Sequence, residues 1–518
     1  MKKNLLNKSI LSILLILLLC SIVAFTMLFS VSCGNSGNKS ADGQTQNQSD
    51  NNPGNQANNG VAAETQPETQ NTTLPPPELP EINLGGANFV IASYDYSIPV
   101  WSQRDIGAEE QNGDTINDAV YKRNAVTNEK FNCVITEKKN LDVPGIVKKA
   151  VKAGDNSIDA TCVRFRNLGD LASTNTLVEF KHLTYIDLEK PWWDPNCVKD
   201  LSIDHKVFGV ASDITLMDKD STSAMVFNKK LQADYGIENL YALVTGGKWT
   251  LDKMLELCKI VSVDIDGNGI KDDKDAYGLL YQRDSVSSFL SGCNEFIGGK
   301  DENDLPILTL NTPKALEVLN KLYDILYNEN YCFHVMKYFD KLGADLWDKG
   351  MNTMFQNNQA LFMWIRMADV ENLRGMDTDF GILPIPKYNE EQKEYLQTVN
   401  PYVGLVVSVP QSAKSVENSS AVLEYMAYQS KYILQPAYYD VVLNNKIARD
   451  EESGKMLDII FKNRAYDIGD VFDFNGLGSD VIYMSMTFDR NIVSKYEKKE
   501  PGAIKAINKL VEKIQAIN

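Results

Sequence analysis

Histidine is nearly missing from this chain: three in 518 residues, His182, His205 and His334, far apart and without metal-ligand spacing. That scarcity removes the imidazole clusters on which zinc hydrolases and many activated Ser or Cys nucleophiles depend. The sequence also lacks HExxH, a GxSxG nucleophile elbow and a phosphate-cradling GxxxxGK(S/T) loop. A glycosidase needs only two carboxylates, and with 69 Asp and Glu that reading stays open. Positive charge is in deficit, 52 Lys and Arg against the acidic residues, for a formal charge of −17. Such a body is a poor partner for nucleic acid or an anionic lipid surface. Aromatics are absent from 34 to 80, a stretch of Asn, Gln, Ser, Thr and Gly that closes on Leu74-Pro75-Pro76-Pro77-Glu78-Leu79-Pro80. It cannot bury enough apolar surface to offset its chain entropy, which predicts a disordered tether.

Only one apolar run is long enough to matter for a membrane. Lys2, Lys3 and Lys8 precede a run from Ile10 to Phe29, the layout of a secretory signal. Its length also suits an uncleaved span. Ser30-Val31-Ser32-Cys33-Gly34 looks like a bacterial lipobox, although Ser30 stands where an aliphatic residue is preferred. The expectation is lipidation at Cys33, with an uncleaved helix or free secretion as alternatives.

Apart from Cys20 and Cys33, six cysteines are scattered widely: 133, 162, 197, 258, 293 and 332. An exported chain could pair them. Cys258, on the apolar face of a predicted helix, fits a small core residue equally well, so mostly free, buried thiols are expected with one bridge left open.

The body beyond the tether exceeds what one core supports, and two lobes are the default. Asn88-Phe89-Val90-Ile91-Ala92-Ser93 reads as a buried strand, a helix opens near Asp114-Thr115, Cys133-Val134-Ile135-Thr136 reads as strand, and a helix spans 143–153. This alternation predicts an α/β lobe with a largely parallel sheet. It returns at Phe380-Gly381-Ile382-Leu383 and Gly404-Leu405-Val406-Val407-Ser408. Between them, 222–360 reads as mostly helical, with amphipathic segments at 251–261, 313–327 and 342–355. The expected division is a signal at 1–32, a lipidated Cys and disordered linker at 33–83, and a first α/β lobe from 84–213 plus 365–412. The second lobe, mostly helical, takes 214–364 plus 413–518.

Several stretches together resemble the extracellular solute-binding proteins of bacterial ABC-type sugar importers. They are Asn112-Gly113-Asp114-Thr115-Ile116-Asn117-Asp118, Lys190-Pro191-Trp192-Trp193-Asp194-Pro195, Ala211-Ser212-Asp213-Ile214-Thr215, Gly247-Lys248-Trp249-Thr250-Leu251 and Asp379-Phe380-Gly381-Ile382-Leu383-Pro384. Their order and spacing carry the likeness over 85 to 518. The resemblance implies a two-lobed periplasmic-binding-protein-like α/β fold with a hinge and an inter-lobe cleft that closes on ligand. It implies binding without chemistry, delivery to permease subunits in the membrane, and a monomer on the extracytoplasmic face.

The sharpest local motif is Asp264-Ile265-Asp266-Gly267-Asn268-Gly269-Ile270-Lys271-Asp272-Asp273-Lys274-Asp275. Oxygen side chains at loop positions 1, 3, 5, 9 and 12, with the Ile270 carbonyl at 7, suit a hard cation such as Ca²⁺. Asp275 stands where an EF-hand has a bidentate Glu. The competing reading is an acidic turn held by Asx hydrogen bonds.

Pyranose rings stack their C–H faces on aromatic side chains, and their hydroxyls bond carboxylates, amides and guanidinia. Trp364 and Arg366 are ligand candidates because Ala360-Leu361-Phe362-Met363-Trp364-Ile365-Arg366 resembles the family's strand entering the cleft. Asp213 lies in the expected first crossover. Tyr94 follows the first strand, where strand-end loops line sites, and Tyr402 completes the set. Four have a plainer role open to them: core packing for Trp364, packing under a loop for Tyr402, a surface salt bridge for Arg366, a turn or cap for Asp213. Trp192 and Trp193 read as lobe anchors, Trp249 as a staple before a Thr N-cap. The leading expectation is a sugar-binding module, with a cell-surface glycoside hydrolase and a structural or adhesive lipoprotein as alternatives.

Overall fold

The computed structural model describes residues 73–95, 103–343, 350–444 and 451–517. The leader, Cys33 and most of the linker lie outside the described residues, as do Tyr96, Trp101 and Trp347. Among the described residues no helix is long and apolar enough to cross a membrane.

Two sheets organise the chain. In the first, β1 (Ala87–Tyr94) lies between β2 (Cys133–Asn140) and β3 (Ala160–Arg164), parallel to both. Gly85 and Gly86, at φ +64° and +79°, make the turn into β1 that a side chain would strain. The helix Thr115–Phe131 connects β1 to β2 and starts where Asp114 accepts from the Asn117 N–H at 2.9 Å. The second sheet holds β4 (Ser223–Asn228), β5 (Tyr277–Tyr281), β6 (Cys332–His334), β7 (Ala360–Arg366) and β8 (Phe380–Leu383), in the order β8-β4-β7-β5-β6. The chain then returns to the first sheet, where β9 (Leu405–Ser408) pairs antiparallel with β3.

Three expectations are corrected here. The 222–360 stretch keeps the helices expected near 251–261 and 313–327, but it also holds three of the five second-sheet strands and starts a fourth at Ala360. Those strands are short and buried on both faces, so they carry no polar alternation to set them apart from buried helix. Residues 380–383, assigned above to the first lobe, pair with β4 in the second, and Trp364 through Arg366 continue β7 there. Of the 365–412 piece, β9 joins the first sheet. Finally, residues 73–83 of the expected disordered linker are ordered. The Leu74 N–H donates to the Tyr432 hydroxyl at 2.9 Å, and Leu79, Ile82 and Leu84 pack on the first core. Three consecutive prolines lower the entropy that ordering this segment costs.

The first core gathers β1, β3 and β9 with Trp192 and Trp193, while the two faces of the second sheet carry two further clusters. The helix 416–444 spans both bodies: Val422 and Met426 sit in the first core, Leu434 and Tyr438 in a cluster of the second. All six described cysteines are free and buried. Cys258 lies so close to Gly278 on β5 that a Cβ there would meet its own at 2.1 Å. This thiol is core, as its helix position suggested.

Candidate functional site

Strands β5 and β7 run parallel, and both end at one cavity of about 440 Å³. β5 runs on into Gln282, Arg283 and Asp284, which line it; β7 delivers Arg366. The passage from the second sheet back to the first contributes Asn400 and Tyr402, and the helix Leu477–Thr487 adds Ser479, Tyr483 and Met486. This is the edge at which doubly wound sheets place ligands, beyond the carboxyl ends of parallel strands.

Its electrostatics are set by burial. Arg366 holds Asp369 through two bonds, Nε at 2.9 Å and Nη2 at 3.0 Å, which fixes the guanidinium plane at the cavity wall. Arg283 Nε lies 3.3 Å from Asp284 Oδ1. Burial pushes the Asp284 carboxyl above its ordinary range, against the pull of Arg283 and Arg366. Tyr402 is 37% exposed, and its ring lies under the guanidinium of Arg166, a first-lobe residue, at 4.5 Å. The Tyr402 and Ser479 hydroxyls are 3.4 Å apart.

Of the five ligand candidates, the structure brings Arg366 and Tyr402 together and places three elsewhere. Trp364 is 2% exposed, inside a second-lobe core opposite Met225, and offers no ring face to a ligand. Both side chains share one face of β7, but Trp364 lies within the sheet under a covered face, whereas Arg366 stands at the strand's end. Asp213 does lie in the first crossover, but Lys219 Nζ stands 2.9 Å from it and Lys431 Nζ 3.7 Å, inside a buried ionic network. There Arg464 spans Asp194 at 2.6 Å and Asp218 at 2.7 Å. Tyr94 is buried beneath Arg164, bonds Asn167 at 3.2 Å, and has its phenol pushed up to about 12 by burial. None of the three lines the cavity. Trp192 and Trp193 do anchor the first lobe, both donating to Glu424, at 3.0 and 2.8 Å.

Sequence reading missed Arg283, Asp284 and Tyr483. A signal existed: had Tyr-Gly-Leu-Leu-Tyr been taken as a strand, the strand-end rule would have marked Gln282-Arg283-Asp284.

The acidic loop gathers side-chain oxygens of Asp264, Asp266 and Asp275 within 4.8 Å of one another. Asp264 accepts the Gly267 and Gly269 N–H groups at 2.9 and 2.8 Å, and Asn268 accepts that of Ile270 at 2.7 Å. Asp275, fully buried, ties the ends together through the Ile265 and Asp272 N–H groups at 2.8 and 2.9 Å. Backbone donors, that of Gly269 foremost, hold the Asp264 carboxyl below its ordinary value. Three converging carboxylate oxygens fit a hard divalent cation. Asp272 stands outside that group, with its Oδ1 accepting from the Lys274 N–H at 2.9 Å.

No protein-family model matches the chain, and no curated protein matches it either. Solved structures do. One is the M. tuberculosis protein UspC, with a TM-score of 0.55 and 12% identity over 81% of this chain and 100% of that one. A second is a cyclo/maltodextrin-binding protein complexed with maltotetraose, at 0.51 and 13%, over 83% of this chain and 98% of that one. A third is the ABC substrate-binding protein Lmo0181 from Listeria monocytogenes in complex with cycloalternan, at 0.50 and 13%, over 83% and 99%. Two α/β sheets joined by crossovers, a cavity at the strand ends, and these likenesses give one architectural conclusion: the chain has the two-lobed periplasmic-binding-protein-like fold.

Proposed function

We propose that this chain is an extracytoplasmic solute-binding protein, lipid-anchored through Cys33, that captures a carbohydrate and passes it to the permease subunits of an ABC importer. The observation that carries the reading is the cavity where β5, β7 and the returning crossover meet, walled by guanidinia, amides and the Tyr402 and Tyr483 rings. These groups match the two faces of a sugar, C–H against aromatic ring and hydroxyl against polar fork. Arg366 and Tyr402, ligand candidates from the sequence, both line that cavity, which supports giving them ligand contacts. Two structures of the same fold are described with an oligosaccharide bound, cycloalternan and maltotetraose, which supports an oligosaccharide here.

A glycoside hydrolase in the same cavity would need two facing carboxyl groups. Asp284 is the one carboxylate among its described lining residues, which favours capture over hydrolysis. Calcium belongs to the same reading as a structural ion of the 264–275 loop, held by Asp264, Asp266 and Asp275 with Asn268, the Ile270 carbonyl and Asp272 as further donors. Its contribution is to brace the loop; no step of ligand capture passes through it.

The test is a thermal-shift screen of the purified protein against mono- and oligosaccharides, paired with a reducing-end assay. A saturable shift without new reducing ends is expected, and at a hundredfold excess over the dissociation constant the gain is roughly 2.7 kcal/mol. Release of reducing ends, or no shift with any saccharide, overturns the reading.

A further inference from the structure

Strands β5 and β7 pair Leu280 with Met363. Beyond that pair β5 ends at Tyr281 and the chain turns, while β7 ends at Arg366; Arg283 from the turn and Arg366 from the strand end line the same cavity, and both guanidinia act on Asp284 there. Two guanidinia in one cavity repel one another unless negative charge sits between or beside them. The protein supplies part of it, but unequally. Arg366 is held by two bonds to Asp369. Arg283 is 45% exposed, and among the described residues it has one ion pair, the 3.3 Å approach of its Nε to Asp284, and no hydrogen bond at its Nη groups. Asn400 approaches the other oxygen of the Asp284 carboxyl at 3.5 Å, and Arg283 itself lines the cavity. A cationic wall is against the trend of a chain whose formal charge is −17.

We propose that the captured saccharide is acidic, carrying a carboxylate or sulfate ester whose oxygens take the outer face of Arg283 beside Arg366. This rests on the carbohydrate-binding reading and narrows its substrate class. A planar anion on the Arg283 fork accepts charge-assisted hydrogen bonds that a neutral hydroxyl cannot match, and its charge is favoured by Arg366 in the same cavity. Tyr402 and Tyr483 remain available for the ring faces of either sort of sugar.

The experiment is calorimetric titration of the full chain with uronate-containing disaccharides, sulfated disaccharides, and the neutral disaccharides of the same linkage. At low salt the best acidic ligand should bind at least about tenfold more tightly than its neutral counterpart. That preference should shrink as salt is raised, because the Arg283 face is solvent-exposed. Arg283→Gln should abolish the preference and leave the melting temperature of the free protein near its original value, since the side chain makes one weak ion pair. Whether uronates or sulfates lead identifies the anionic group. Neutral disaccharides binding as well as the acidic ones, or a preference that survives Arg283→Gln, overturns the inference and leaves carbohydrate capture standing. Failure of every acidic and neutral saccharide to bind sinks both.

Discussion

The guanidinium of Arg166 sits 4.5 Å from the ring centre of Tyr402, so a first-lobe side chain fixes the orientation of an aromatic that lines the second-lobe cavity. Arg166 is itself tied down by Asp473 and by a 2.8 Å bond to the Asp470 carbonyl. The pair couples the cavity to the partner lobe, as closure around a ligand requires. Tyr402→Ala should therefore weaken saccharide binding by about 0.5–1.5 kcal/mol, roughly two- to tenfold, whereas Tyr402→Phe keeps most of the affinity. Calorimetric titration checks both, and equal losses in the two variants would assign the effect to the hydroxyl instead.

Arg464 bridges Asp194 of the first lobe and Asp218 of the crossover, and all three are buried. Removing it strands two carboxylates in a low-dielectric site. Arg464→Ala should cost about 3–5 kcal/mol, read as a lowered urea midpoint. A shift below ~1 kcal/mol would mean that water reaches the network once the arginine is gone.

Chelation tests the loop. EDTA should lower the melting temperature of the wild type, and Asp266→Asn should remove that response. Asp266 is the suitable variant because it is exposed, while Asp275 also bonds two backbone N–H groups whatever the ion does. A melting temperature indifferent to EDTA and to added Ca²⁺ counts against an occupied site.

Glu424 carries a pH signature. Burial drives its carboxyl from 4.5 up to about 7, even though both Trp192 and Trp193 donate to it. Between those pH values the folded chain holds a proton that the unfolded chain has released. Stability from this group is greatest below pH 4.5 and declines as pH rises through 7, by on the order of 3 kcal/mol. Glu424→Gln should flatten that part of the stability–pH curve, measured by urea unfolding. An unchanged slope would assign the dependence to another group, such as Asp470, which burial and the nearby Asp467 push to about 8.

Local chemistry was readable from the chain itself. Helix starts at Asp114 and Thr250 depend on a side chain and an N–H three residues away, and both caps form at 2.9 and 3.3 Å. The Asp264 to Asp275 loop folds through contacts within twelve residues, so spacing alone predicted its converging oxygens. The alternation over 87–164 announced the first lobe because its strands meet helices in sequence order. What sequence alone could not decide is pairing across long distances. The partner of 380–383 is β4, some 150 residues earlier, and that choice moved the segment between lobes. The burial of Trp364 follows from its place in a sheet covered on both sides, where no polar alternation marks which way a residue points, and Arg283 reaches the cavity of Arg366 only through the turn that ends β5. A buried cysteine and a capping side chain declare themselves residue by residue; a cavity made by two strand ends and a returning crossover exists only once the chain has closed on itself.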